Sequence, residues 1–345
     1  MSWHELEMLA RGGTLSLLAL WSWLLWRDHR EMLAARVGIA MNLGIGCYVI
    51  MTAAWAEYVS EPNLVLGLLA RSTPALFWLF ARTWFNDRTR LARSDVLIVA
   101  AWIVTAAIFH FSHETWPAIF RVSGAILRIG MFMLGLAGLW EAWRGREDDL
   151  VEARRRMRLS IVVAVGLYVV IIGAAEMAVN DAHAPPIIIA LIGSSIVFIT
   201  LVFLAAMLSM RQGDLFGAPA APGPAVAQPH DQDDPLAARL AQYMSTEMPH
   251  RDERLTIAGL AQRLGEQEYR LRRLINGSLG HRNFAQFLNS YRLAEVKAAL
   301  ADPAQKEVPI LTVALDAGFG SLGPFNRAFR EAEGMTPSEY RTRSN

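Results

Sequence analysis

A chain of 345 residues that is 53% hydrophobic and 19% charged, with net charge +1, is long enough for about two domains and too apolar for two ordinary soluble ones. The near-zero net charge excludes a global basic field, so any cations that meet a polyanion have to be clustered locally. The single cysteine, Cys47, excludes an intramolecular disulfide framework and reads as a packed thiol in an apolar segment.

The amino end carries Glu5 and Glu7 where a secretory leader would carry positive charge, so no cleavable signal peptide is expected. Seven apolar segments follow, at about residues 12–26, 37–59, 64–85, 96–111, 117–140, 159–179 and 186–210. A membrane-spanning helix needs about 20 mainly apolar residues; most segments comply, and the first and fourth borrow flanking residues. Residues 1–210 are therefore expected to form a seven-helix transmembrane sensor domain. Loops after the first, third and fifth segments hold Arg27, Arg30 and Arg36; Arg82, Arg88, Arg90 and Arg93; and Arg144, Arg146, Arg154, Arg155, Arg156 and Arg158. The alternate loops hold no Lys or Arg. The positive-inside rule then puts the amino terminus outside and the carboxy terminus in the cytoplasm. Arginines of the loop after the fifth segment can touch DNA or anionic lipid, although a topology determinant is the simpler reading. Trp21, Trp23, Trp26, Trp84, Trp140 and Trp143 suit an interfacial aromatic belt.

Five ionisable residues fall inside these segments: Glu57, Arg71, Arg121, Arg128 and Glu176. A charge in hydrocarbon is costly unless paired or facing a cavity. Arg121 and Arg128 are seven apart, hence on nearly one helix face, and Pro74 one turn beyond Arg71 offers a kink. Two readings stand: an outward-facing polar pocket for an anionic signal, or internal ion pairs that only fix helix packing. His110, His113 and Glu114, like His183 with Asp181, match no defensible metal-ligand spacing and read as interfacial polar caps. No phosphate-binding glycine loop, dinucleotide fingerprint or nucleophile elbow has its required context, so neither an enzyme nor a cofactor is expected.

Residues 211–235 change character abruptly. Gly217-Ala218-Pro219-Ala220-Ala221-Pro222-Gly223-Pro224, followed by Asp231, Asp233 and Asp234, is a flexible linker with no apolar periodicity.

Residues 236–345 contain one pattern twice. Ile257, Leu260, Ala261 and Leu264 form an apolar helix stripe, with Thr256 as cap and Gly265 as left-handed stop. The next helix turns Leu271, Leu274 and Ile275 inward, leaving Tyr269, Arg270, Arg272 and Arg273 on its other faces. In the second copy Pro309 suits a first helical position. Ile310, Val313, Ala314 and Ala317 form the stripe, Gly318 breaks it, and Phe325 and Phe329 anchor a helix bearing Asn326, Arg327 and Arg330. Helix, glycine turn, helix with outward arginines is the helix-turn-helix arrangement. A long helix with Phe284, Phe287, Leu288 and Tyr291 on one face joins the copies, and Thr336-Pro337-Ser338-Glu339 reads as a capping box.

The run Gly280…Phe284…Leu288…Arg292-Leu293…Ala298, then Ala314…Ala317-Gly318-Phe319…Phe325-Asn326-Arg327-Ala328-Phe329, then Gly334-Met335-Thr336-Pro337-Ser338-Glu339-Tyr340-Arg341 resembles the AraC/XylS family of bacterial transcription regulators over roughly the last hundred residues. Two positions depart from the family pattern: Gln267 stands where serine usually opens the first recognition helix, and Gly323-Pro324 replaces polar residues in the second. The resemblance implies base reading by Tyr269, Arg272 and Arg273 in the first head and by Asn326 and Arg327 in the second. Arginine on guanine and asparagine on adenine are the pairings their chemistry favours. Arg270, Arg282, Arg330, Arg341 and Arg343 are candidates for phosphate contacts, which position without specifying.

The expected architecture is all-α, a seven-helix transmembrane bundle followed by a cytoplasmic double helix-turn-helix domain. The expected function is a one-component regulator in the bacterial inner membrane that senses an envelope or small-molecule signal. Its partners would be double-stranded DNA, the lipid bilayer, a second copy in a homodimer and RNA polymerase. The alternative is a membrane enzyme or transporter with a fused DNA-binding reporter domain.

Overall fold

The computed structural model describes residues 3–51, 64–112, 115–151 and 235–344, with scattered residues between 154 and 201. Among the described residues the chain is all-α, with twelve α-helices. It divides into two compact units, Met1–Arg146 with Arg156–Phe216, and Glu147–Arg155 with Gly217–Asn345.

The first unit contains α1 (Trp3–His29), α2 (Leu33–Met51), α3 (Leu64–Phe85), α4 (Arg93–Ser112) and α5 (Pro117–Trp143). All five are long and apolar enough to cross a membrane. Five such helices are therefore found among the described residues where seven apolar segments were predicted; the sixth and seventh segments fall almost entirely outside those residues. The first helix, Trp3–His29, reaches well past its apolar segment and the fourth, Arg93–Ser112, slightly past its own, because flanking polar residues of ordinary helix propensity continue a helix. α3 continues unbroken past Pro74 and is the centre, packing against α2, α4 and α5. Small residues let these helices approach closely. A Cβ on Gly44 would lie 2.9 Å from the Leu69 carbonyl oxygen, on Gly138 2.5 Å from the Phe77 ring, and on Gly130 it would clash with the Trp102 ring. Outward faces are apolar: Leu97, Val104 and Phe111 on α4 and Val122, Ile129 and Met133 on α5 are all exposed. Exposed apolar surface of that kind marks contact with a membrane or with another protein.

Ionic groups collect where α3 ends, α4 begins and α5 ends. Asp95, fully buried, forms an ion pair with Arg82, Nε at 3.3 Å, and accepts a hydrogen bond from Arg88 Nη1 at 3.3 Å. Arg158 donates to the Phe85 carbonyl at 2.8 Å and to the Ala142 carbonyl at 3.4 Å, placing a cation on the negative ends of two helices. Three of the arginines read as topology charges, Arg82, Arg88 and Arg158, thus also fasten helix ends.

The second unit holds α6 (Pro235–Thr246), α7 (Ile257–Leu264), α8 (Glu268–Arg273, extended by the π turn Leu274–Ser278), α9 (Phe284–Ala301), α10 (Ile310–Asp316), α11 (Leu322–Glu333) and α12 (Pro337–Ser344). It has two cores. Leu236, Leu240, Leu260, Leu271 and Ile275 surround Phe284, Phe287 and Leu288 of α9; Val313, Ala314, Phe319, Phe325 and Phe329 surround Leu293, Val296 and Leu300 of the same helix. α9 is therefore the shared spine of two helix-turn-helix halves. The linker predicted at 211–235 lies almost wholly outside the described residues.

Candidate nucleic-acid interface

Each reading helix is set by local chemistry. Thr256 Oγ1 accepts the Gly259 amide at 3.1 Å and starts α7; Gly265 at φ 65° ends it. The chain then turns into α8, whose Leu271 is buried while Tyr269 on the opposite side is 64% exposed. In the second half Pro309 sits just before α10, one position earlier than predicted. Gly318 at φ 95° makes the turn, and its missing Cβ leaves room for the His250 carbonyl oxygen, which a side chain would meet at 2.5 Å. Pro324 lies in the first turn of α11, where a missing N–H costs no intrahelical bond. Phe325 and Phe329 are fully buried and pack edge-on, 5.6 Å apart, which fixes the rotation of α11. The capping box forms as read: Thr336 N–H donates to Glu339 Oε2 at 2.6 Å and Glu339 N–H to Thr336 Oγ1 at 3.2 Å. That backbone donor is the main reason the Glu339 carboxyl lies below its ordinary range.

The base-reading candidates are placed unequally. Tyr269 and Arg273 are exposed on α8, and Arg327 is exposed on α11 with Asn326 half-buried one position before it. Arg272 is buried, 8% exposed. Its Nε donates to Glu268 at 2.7 Å, one Nη to the Asp149 carbonyl at 2.8 Å and the other to the Glu147 carbonyl at 2.7 Å. Among the phosphate candidates, Arg270, Arg330 and Arg343 are exposed, with Arg270 also on Glu266 at 3.0 Å. Arg282 is buried, and half-buried Arg341 donates to the Lys306 carbonyl at 3.3 Å. Asn326 and Arg330 also line an open hollow of about 320 Å³ with Leu311, Leu322 and Pro337.

Two features escaped the sequence reading. Arg292 on α9 donates to the His250 carbonyl at 2.7 Å and to the Asp252 carbonyl at 3.1 Å; its place in the family motif was the one signal available. Beside it, burial pushes the Glu295 carboxyl up, but hydrogen bonds from Arg251 and His250 outweigh this and hold it below its ordinary value. The second feature is the segment Glu147–Arg155, which belongs by contact to this unit. Arg154 and Asp149 form an ion pair at 2.8 Å, both fully buried, so Arg154 reaches neither DNA nor lipid here.

Of the charges within the apolar segments, Glu57 and Glu176 lie outside the described residues. Arg71 stacks over the Phe109 ring at 5.2 Å, whereas Arg121 and Arg128 are exposed on α5. No hydrogen bond or ion pair among the described residues joins the three. His113 and Glu114 also lie outside the described residues, and among those described no cluster of His, Cys, Asp and Glu has the arrangement of a metal site.

Comparison with known proteins bears on the second unit alone. Residues 260–343 match the family described as helix-turn-helix domain. Over 94 residues the chain is 31% identical to the regulatory protein SoxS of Salmonella typhimurium, a stretch that is 27% of this chain and 84% of SoxS. SoxS of Escherichia coli K12 matches at the same 31% over 94 residues. The transcriptional regulator Rob of Salmonella typhimurium is 32% identical over 95 residues, 28% of this chain and 32% of Rob. No solved structure matches the chain.

Proposed function

Since the chain belongs, through its C-terminal domain, to the AraC family of helix-turn-helix regulators, we propose that it is a membrane-bound one-component transcription regulator. The DNA-binding part follows from the domain, and relatives described as regulators give no reason to expect catalysis. The membrane part rests on one observation: the same polypeptide carries two arginine-bearing reading helices and five helices long and apolar enough to span a bilayer, of which α4 and α5 turn apolar faces outward. A water-soluble regulator has no use for such faces.

In this reading the first unit lies in the bacterial inner membrane, amino terminus outside, with the DNA-binding domain on the cytoplasmic side as the loop arginines require. Tyr269, Arg273, Asn326 and Arg327 read bases, while Arg270, Arg330 and Arg343 hold phosphate. A homodimer suits paired half-sites, and RNA polymerase is the partner through which a bound regulator acts. The signal enters from the envelope or the lipid, at a site to which Arg71, Arg121, Arg128, Glu57 and Glu176 are the candidate contributors.

The test is cell fractionation with DNA capture. The intact chain is expected in the membrane fraction, and after solubilisation it should retain a discrete set of genomic fragments. Recovery in the soluble fraction refutes the membrane assignment; retention of DNA without preference refutes sequence reading.

A further inference from the structure

We infer that the segment Glu147–Arg155, which follows α5, is an internal regulator of DNA reading: docked, it holds Arg272 away from DNA, and undocking releases it. This rests on the DNA-binding reading above.

The docking is built at three levels. The backbone joins first, in the manner of an added strand: Asp149 bridges antiparallel to Asn283, with Phe284 N–H on the Asp148 carbonyl at 2.8 Å and Leu150 N–H on the Arg282 carbonyl at 3.1 Å. Leu150, 3% exposed, then enters the core formed by α6, α7, α8 and α9. Finally, the buried Asp149 carboxylate takes Arg154 Nε at 2.8 Å and the Val151 N–H at 3.1 Å. This pairing folds the segment on itself, and Arg154 reaches on to the Arg282 carbonyl at 3.3 Å.

The consequence falls on Arg272. A guanidinium recognises guanine by aiming two parallel N–H groups at one base edge. Here both of its Nη atoms are committed to the Glu147 and Asp149 carbonyls and its Nε to Glu268. Docking and base reading by Arg272 therefore exclude each other. Tyr269 and Arg273 stay exposed on the same helix, so the docked head still touches DNA, with one reading contact fewer. Glu147 and Asp148 also bring acidic residues beside a helix that has to approach phosphate. Glu147 follows Trp143, the last residue of α5, by four positions, so displacement of α5 pulls on the segment directly. A signal that binds α5 better in the displaced state shifts the docking equilibrium by that difference in affinity.

The experiment uses the full chain in nanodiscs and a duplex recovered with the wild-type protein. Leu150→Asp expels the anchor and is expected to bind that duplex about tenfold more tightly, with sharper preference at one base position; adding Arg272→Ala removes the gain. A second variant covers the case in which Leu150→Asp fails to fold. Asp149 and Asn283 form a non-hydrogen-bonded antiparallel pair, whose close Cα atoms suit a disulfide. In Asp149→Cys with Asn283→Cys, the oxidised chain is expected to bind more weakly than the same chain reduced. Unchanged or weaker binding by folded Leu150→Asp, or affinity indifferent to oxidation, overturns the inference while leaving DNA reading intact. Failure of the wild type itself to prefer any duplex overturns both.

Discussion

Arg292 donates its Nε to the His250 carbonyl at 2.7 Å while its guanidinium lies 5.7 Å from the Phe319 ring. His250 precedes the first helix-turn-helix half and Phe319 belongs to the turn of the second, so this one side chain, on the shared helix α9, fastens both reading heads to the spine. Replacing it with Met keeps most of the volume and leaves the His250 and Asp252 carbonyls without this donor. Arg292→Met is expected to destabilise the domain by about 1–3 kcal/mol, the cost of orphaning the buried His250 carbonyl, since the Asp252 carbonyl keeps the Leu255 N–H at 3.2 Å. Urea unfolding of the full chain, followed by hydrogen exchange in α9, measures it; a change below about 0.5 kcal/mol contradicts the role.

The two turn glycines are expected to respond differently. Gly265 at φ 65° has nothing within 4 Å of an added Cβ, whereas at Gly318, φ 95°, the Cβ would meet the His250 carbonyl oxygen at 2.5 Å. Gly265→Ala carries only the left-handed penalty, about 1–2 kcal/mol. Gly318→Ala adds a clash with backbone that cannot yield cheaply, and unfolding curves should show it losing clearly more. Equal losses would mean that the Gly318 contact relaxes freely.

Burial holds the His281 imidazole below its ordinary value of 6.5. The unfolded chain therefore takes up a proton near pH 6.5 that the folded chain refuses. The stability tied to neutral His281 is fully present above pH 6.5 and falls as pH drops from there toward the folded value. Glu295 acts the same way only below its ordinary 4.5, outside that window. Melting of the full chain should fall between pH 7.5 and 5.5, and His281→Leu should flatten that part of the profile. An unchanged slope in the variant assigns it to another group.

Arg327 and Arg330 sit one turn apart on α11, both exposed, and in the proposed reading make two different kinds of DNA contact. Arg327→Ala is expected to cost about 1–3 kcal/mol and relax preference at one base position. Arg330→Ala should weaken all duplexes alike and reduce the salt slope by about one. Binding to a set of single-base variants at two salt concentrations distinguishes them; the reverse pattern exchanges their roles.

The C-terminal helices were legible because their signals are local. A Thr256 cap, glycine stops at Gly265 and Gly318 and the Thr336–Glu339 box act within a few residues, and apolar spacing gives the buried face directly. The five apolar helices were legible for the same reason. Docking of Glu147–Arg155 was not, because a lone bridge to Asn283 leaves no periodic trace and Arg154 looks like one more loop cation. Arg272 likewise reads as a groove residue when its partners are backbone carbonyls far away in sequence. In the apolar helices hydropathy gives length and leaves rotation open. Arg71 thus turns toward Phe109 while Arg121 and Arg128 face outward, an arrangement their spacing could not supply.

The most direct test of the account is genome-wide mapping of the chain's DNA sites in intact cells, with wild type beside the double variant Arg273→Ala, Arg327→Ala. A discrete set of sites that the variant loses is the predicted result. Occupancy without discrete sites, or a set the variant retains in full, would contradict sequence reading by these two helices.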